Sequence, residues 1–335
     1  MPRGRPKKKL TDKLVESRKD DSVMEDKKMD LIPNPGQNRK EAEPPERIDT
    51  KEFTERKAKL EAVLREINKV IPGSVNYANT IEARERLSFG YKCLDDITGG
   101  GIVYGNTTTI WGSKGCGKST IAYKLLATAQ KNHKIAAYLD VERSYDATWA
   151  KKFGVDTESL VYVACKTAEE VLDTVIKLCK SSVVDVIVLD SIQGLSPHGE
   201  QYEGKGEKDK SVQNDTMALL ARKLSQFFRM ATPYISDAKC ALVLIGQARM
   251  DLGSFIKMET LSGGHALMHN SRLILRLRRG QKADAPTEKV KNEDGKTENV
   301  QIGFDLCIKV DKSQIQNCIE GTEIHVPFLY TDGIQ

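Results

Sequence analysis

The chain has 335 residues, with 52 Lys plus Arg against 47 Asp plus Glu, a formal net charge of +5, 39% apolar residues and 30% charged residues. That balance describes a protein with a sizeable core and a solvated surface, and the length suits one large α/β domain with an appendage. No run approaches the ~18 apolar residues of a membrane helix and the basic N-terminus lacks an apolar signal segment, so membrane and secreted placements are disfavoured.

Residues 1 to about 50 read as a disordered tail. Charges of both signs interleave there, and Pro33, Pro35, Pro44 and Pro45 break any helix. The tail opens on Arg3-Gly4-Arg5-Pro6 followed by Lys7, Lys8 and Lys9. Two arginines around a glycine suit the floor of a narrow A·T minor groove, as in an AT-hook; a generic basic tether is the other reading. From Thr50 to Ile71, Phe53, Leu60, Val63, Leu64, Ile67 and Ile71 recur at helical spacing, and Pro72-Gly73 ends the helix.

From about residue 85, strands and helices alternate. Strands are expected at Thr107–Trp111, Lys134–Val141, Leu160–Ala164, Val183–Leu189 and Ala241–Gly246, with helices at Lys118–Gln130, Ala168–Lys180 and Asp215–Met230. A shorter helix is expected through Trp149–Phe153. Thr167 and Glu170 form a capping box. Three β segments follow at Arg272–Arg278, Val300–Asp311 and Thr322–Tyr330, with a polar hairpin tip at 280–299. The pattern predicts a mostly parallel sheet flanked by helices. Seven cysteines occur singly (93, 116, 165, 179, 240, 307, 318), without the CxxC pairing of a structural zinc site, as in a reducing compartment.

The stretch Gly112-Ser113-Lys114-Gly115-Cys116-Gly117-Lys118-Ser119, followed by Thr120, fits the phosphate-loop pattern between a strand and a helix. Its glycines let backbone amides wrap phosphate oxygens, and the helix N-terminus adds a favourable dipole. Lys118 is expected on the β/γ-phosphates of ATP and the Ser119 hydroxyl on Mg²⁺. Asp190, ending an apolar strand, has the place of the second Mg²⁺-organising group. Glu142 and Asp140 both leave a strand on the same sheet edge, and spacing does not decide which activates water. Gln247 ends another strand at that edge, a position from which an amide can sense the γ-phosphate; a satisfied structural glutamine is the other reading.

These blocks resemble the RecA family of homologous recombinases over roughly Thr50 to Gln335. The resemblance rests on the phosphate loop, on Asp140-Val141-Glu142-Arg143 with Asp146 and Trp149, and on Val186–Ser191. Ile245-Gly246-Gln247-Ala248-Arg249-Met250 and Ser262-Gly263-Gly264-His265-Ala266-Leu267 complete it. Phe228–Tyr234 and Val310–Ser313 are similar to the phage UvsX-type branch. The resemblance implies an ATP-dependent DNA recombinase with a RecA-type phosphate-loop core and a linking N-terminal helix. It implies a helical homo-oligomer on single-stranded DNA that pairs homologous double-stranded DNA, with mediator and single-strand-binding proteins as further partners. Cytoplasmic placement in an infected bacterial host would follow.

By the same resemblance Glu142 is the catalytic base, Trp149 stacks on adenine with Asp146 near its amino group, and Gln247 couples ATP to DNA. Lys312 would reach a neighbouring subunit's ATP. Loops at about 196–213 and 249–264 would hold DNA. Lys205, Lys208 and Lys210 would sit against phosphates, Arg249 would also contact DNA, Phe255 and Ile256 would sit between bases, and Gly263 and Gly264 would allow close backbone approach. Two departures stand out: Met268-His269 replaces a Lys-Phe pair, and Val310 replaces the first of two lysines. The chain also ends about where the family core ends, as in a shortened chain or a lineage without the C-terminal domain. A RecA-core hexameric helicase or loader, or an ATP-switched architectural DNA binder, are the rival classes.

Overall fold

The computed structural model describes residues 50–78, 83–198, 202–203, 208–209, 219–250, 259–261, 265–291 and 297–335. The tail with Arg3 and Arg5 lies outside them, as do Lys205, Lys210, Phe255, Ile256, Gly263 and Gly264. The chain divides into two compact units, Met1–Lys59 and Leu60–Gln335. Helix Lys51–Val70 begins in the first and runs into the second. Thr50 starts it: the Phe53 amide donates to Thr50 Oγ1 at 3.3 Å, which satisfies one of the helix's unpaired N–H groups. None of its residues is buried.

The second unit is built on a ten-stranded sheet. From one edge the order is Gly333–Ile334, Glu323–Leu329, Gly303–Ser313, Ser271–Arg279, Thr107–Gly112, Ala241–Met250, Val186–Asp190, Ala136–Asp140 and Val161–Val163. Short strand Glu259–Leu261 pairs off the side of Ala241–Met250. The strands from Ser271–Arg279 to Val161–Val163 run parallel. Those beyond Ser271–Arg279 are antiparallel.

The central strands are apolar on both faces because helices cover both. Along Val186–Asp190, Val186 and Val188 join one buried cluster with Ile121, Leu125 and Leu126 of helix Lys118–Lys131. Ile187 and Leu189 join another with Val171 and Val175 of helix Ala168–Ser181 and with Phe227 and Phe228 of helix Leu219–Asp237. This two-residue alternation sends successive side chains to opposite layers. Each such aliphatic side chain contributes about 1.5–3 kcal/mol on burial.

Several element ends differ from the sequence reading. The described helix starts at Leu219 and runs past Met230 to Asp237, through Pro233. Ala231 and Ile235 continue its buried face, and that burial outweighs the proline's missing donor. Residues 215–218 lie outside the described set. Strand Ala241–Met250 continues past Gly246 because Ala248 and Met250 pair with Leu261 and Glu259. The 300–311 segment divides: Thr297–Gln301 forms a hairpin with Thr287–Lys291, while Gly303–Ser313 enters the main sheet. The capping box forms as expected, with Thr167 Oγ1 accepting from the Glu170 amide and the Glu170 carboxylate accepting from the Thr167 amide. Among the described residues no helix is long and apolar enough to cross a membrane.

Candidate nucleotide site

The parallel strands bring four loops to one edge of the sheet. Register places Gly112 beside Gln247 and Asp140 beside Asp190. Strand Thr107–Gly112, buried throughout, delivers the phosphate loop, and Gly117 begins helix Lys118–Lys131 in a left-handed conformation, φ +83°. A Cβ on Gly117 would lie 2.5 Å from the Phe328 ring, so both the dihedral and the space call for glycine. A cavity of about 320 Å³ opens here between the loop, Glu142, Asp190 and Gln247.

Lys118 is buried and folds back on its own loop, Nζ donating to the carbonyls of Ser113 at 2.8 Å and Gly112 at 3.1 Å. These bonds offset the cost of a buried ammonium and hold the amine at the cavity floor. Cys116 Sγ donates to Ser113 O at 2.9 Å, and burial pushes its thiol pKa up. Lys114 and Gly115 are exposed at the loop's crest. Arg279 Nη2 donates to Gly115 O at 2.8 Å.

Ser119 Oγ donates to Asp190 Oδ2 at 2.6 Å, and Tyr138 OH donates to the same oxygen at 2.8 Å. Burial raises the Asp190 pKa despite both bonds. Two oxygen donors thus converge beside the phosphate loop, which fits a hard cation such as Mg²⁺.

The geometry separates the two carboxylates that spacing left open. Asp140 is buried and accepts from the Ser144 amide at 3.1 Å, the Tyr145 amide at 2.9 Å and Tyr162 OH at 3.0 Å. It shapes the turn. Glu142 instead lines the cavity, its Oε1 accepting from Gln247 Nε2 at 2.6 Å and from Ser191 Oγ. Gln247 is held in turn by Gln193, a residue that sequence reasoning passed over. The Gln247 amide donates to Gln193 Oε1 at 2.7 Å, and Gln193 Nε2 donates to Gln247 O at 3.2 Å.

The antiparallel strands supply a wall that no motif announced. Phe304 and Phe328 stack with ring centroids 4.7 Å apart, the Arg279 guanidinium lies 4.4 Å from the Phe304 centroid, and Tyr330 completes the rim. Asp146 and Trp149 stand beside the cavity rather than in its lining. Asp146 caps helix Ala147–Lys152, accepting from the Thr148 and Trp149 amides. Trp149 Nε1 donates to Thr120 Oγ1 at 3.2 Å, and its ring meets Phe153 edge-on.

Lys312 lies outside the cavity lining and donates to Met268 O at 2.6 Å and His269 O at 3.2 Å, near the end of helix His265–Asn270. Burial lowers its pKa. Arg249 is exposed on the strand leading out of the sheet, opposite Thr260. The Lys208 backbone pairs with Glu203.

The RecA N-terminal domain family matches residues 58–335. The chain belongs to the RecA family. The Protein RecA of Colwellia psychrerythraea strain 34H is 33% identical over 258 residues, 76% of this chain and 69% of the relative. That of Agrobacterium fabrum strain C58 is 36% identical over 239 residues, covering 69% of this chain and 63% of the relative. That of Wolbachia pipientis from Culex pipiens is 33% identical over 258 residues, covering 76% of this chain and 67% of the relative. The match thus spans about two thirds of each relative's length, and less than that for the Agrobacterium protein. The fold is accordingly a RecA-type domain, a mixed and mostly parallel sheet flanked by helices.

Proposed function

We propose that this RecA-family chain is an ATP-dependent DNA recombinase, which assembles as a helical filament on single-stranded DNA and exchanges strands with a homologous duplex. The observation that carries the reading is the 2.6 Å bond between Glu142 and Gln247 at the cavity mouth. It joins a carboxylate placed to activate water to the strand that runs on through Arg249 to Met250 and leads to the second loop. Occupancy of the γ-phosphate position competes for the Gln247 amide, and the strand carries that change outward to the DNA-holding segments.

In this reading the phosphate-loop amides and Lys118 Nζ bind the β- and γ-phosphates, Lys118 exchanging its two carbonyl partners for phosphate oxygens. Ser119 Oγ and Asp190 would hold Mg²⁺, which would supply charge neutralisation at the phosphates. Glu142 accepts the proton of the attacking water. The Phe304–Phe328 pair, with Tyr330 and Arg279, closes the cavity against bulk water. Asp146 and Trp149 approach the base only after a local shift, since both side chains are engaged elsewhere. Lys312 likewise reaches a neighbouring copy's nucleotide only by leaving the Met268 and His269 carbonyls. Lys205, Lys208, Lys210 and Arg249 neutralise DNA phosphates, Phe255 and Ile256 separate bases, and Gly263 and Gly264 let the backbone approach. Single-strand-binding and mediator proteins are the partners such a filament would meet.

The test is strand exchange between homologous single-stranded and duplex DNA with ATP, alongside turnover with and without DNA. The intact chain is expected to exchange strands and to hydrolyse ATP faster on single-stranded DNA, and Lys118→Ala to do neither. Equal turnover with and without DNA, or closed six-membered rings by electron microscopy, would favour the helicase or loader class instead.

A further inference from the structure

On the antiparallel half of the sheet, alternate residues of Gly303–Ser313 point away from the main core. Phe304, Leu306, Ile308 and Val310 belong to the apolar cluster beneath, which leaves Asp305, Cys307, Lys309 and Asp311 on the other face. Cross-strand pairing sets Cys307 opposite His325 and Lys309 opposite Glu323. As a result Cys307 Sγ, a Glu323 carboxylate oxygen and a His325 ring nitrogen lie within 4.8 Å of one another. His325 is held in a particular way: Nδ1 is 2.6 Å from Asp305 Oδ2, while Nε2 faces Glu323 Oε1 at 3.5 Å.

We propose that Cys307, Glu323 and His325 form a binding site for a borderline-soft divalent cation, Zn²⁺ foremost, with Asp305 orienting the histidine. One thiolate, one imidazole and one carboxylate are a donor set suited to zinc rather than to Mg²⁺ or Ca²⁺. The Asp305–His325 contact is the support that metal-bound histidines ordinarily have. A carboxylate on Nδ1 fixes the tautomer and leaves the Nε2 lone pair for the cation. Because the ligands come from a paired ladder, their spacing is set by the sheet rather than by a loop.

The site has a competitor within the chain. Arg278 Nη2 is 2.5 Å from Glu323 Oε1, and Arg278 Nε donates to Cys307 Sγ at 3.1 Å. The guanidinium is half-exposed, and such a pair contributes only about 0–1 kcal/mol in water, so it can swing out to solvent as the cation enters. The Cys307 thiol releases its proton to solvent on binding, and the cation takes the place the guanidinium leaves beside the resulting thiolate. The site lies apart from the nucleotide cavity and does not depend on the function proposed above.

Co²⁺ titration of the reduced, metal-stripped full chain, without nucleotide, tests the assignment. The expected result is one equivalent bound with a thiolate-to-cobalt charge-transfer band, lost on adding equimolar Zn²⁺. Cys307→Ser should abolish the band and Cys116→Ser should leave it. His325→Ala, at an exposed position that spares the fold, should weaken binding at least about tenfold, and Asp305→Asn roughly 10–100-fold. Arg278→Ala should tighten it by removing the competing cation. No thiolate band, a band that survives Cys307→Ser, or affinity unchanged by His325→Ala or Arg278→Ala would overturn the site.

Discussion

At the scale of single residues, the phosphate cavity is organised by side chains that satisfy one another before any ligand arrives. Asp190 shows the cost. Burial raises its pKa above the ordinary 3.8, so the folded chain holds that proton more tightly than the unfolded chain does. Stability from this group is therefore fully present below the unfolded value and is lost as pH rises through the folded one. Asp190→Asn should accordingly make the ligand-free protein more stable near neutral pH, by on the order of 1 kcal/mol, while removing Mg²⁺-dependent turnover. Urea denaturation at successively lower pH should show the gain shrinking, because the parent's buried carboxyl regains its proton sooner than an ordinary carboxylate would. A variant less stable than its parent at neutral pH would contradict this account. Gln193 makes a second residue-level case. Its side-chain amide grips both backbone polar groups of Gln247, so it ties the turn Ile192–Gly194 to the strand that feeds the second loop. Gln193→Ala is expected to leave DNA-free turnover unchanged and to cut the DNA-stimulated increment at least about fivefold. Stimulation equal to the parent's would show that the clamp transmits nothing.

Among elements, helix Ala168–Ser181 illustrates how local chemistry and packing agree. Its capping box fixes the start, and Ala168, Val171, Leu172, Val175, Ile176 and Cys179 form the buried stripe laid on the sheet. Thr167→Ala should cost about 1 kcal/mol of global stability, measured by urea denaturation, because it leaves a helix-end amide without its partner. A cost indistinguishable from zero would mean that water replaces the cap. The same element was readable in advance since its cap, acidic first turn and 3.6-residue stripe all lie within one short window. Helix Leu219–Asp237 was less readable at its end. Pro233 signals a stop locally, yet Ile235 buries against a partner far away in the chain. Likewise, strand Ala241–Met250 is extended by pairing with Glu259–Leu261, which no local pattern in 247–250 could indicate.

For the molecule as a whole, the N-terminal helix bears on assembly. Phe53, Leu60, Val63 and Ile67 of helix Lys51–Val70 are all exposed, although they recur at helical spacing. An apolar stripe of this kind is what one copy would present to the next in a filament. Deleting residues 1–72 should therefore leave a folded core that binds nucleotide but forms short filaments or none on single-stranded DNA, as seen by electron microscopy. Filaments of normal length would remove the linking role from this helix.

The phosphate loop, Asp190 and the alternation of strands and helices were determined by the sequence alone. Each is a short-range pattern: a glycine spacing, an apolar run ending in a carboxylate, a periodicity. The choice of Glu142 over Asp140 for the cavity lining required the fold. Both occupy similar local positions, and only the turn amides and Tyr162 reveal that Asp140 is already engaged. The aromatic wall of Phe304, Phe328 and Tyr330, and the grouping of Cys307 with Glu323 and His325, were decided by tertiary structure for the same reason. They are assembled by antiparallel register between strands, and register is set by pairing across the sheet rather than by neighbours along the chain.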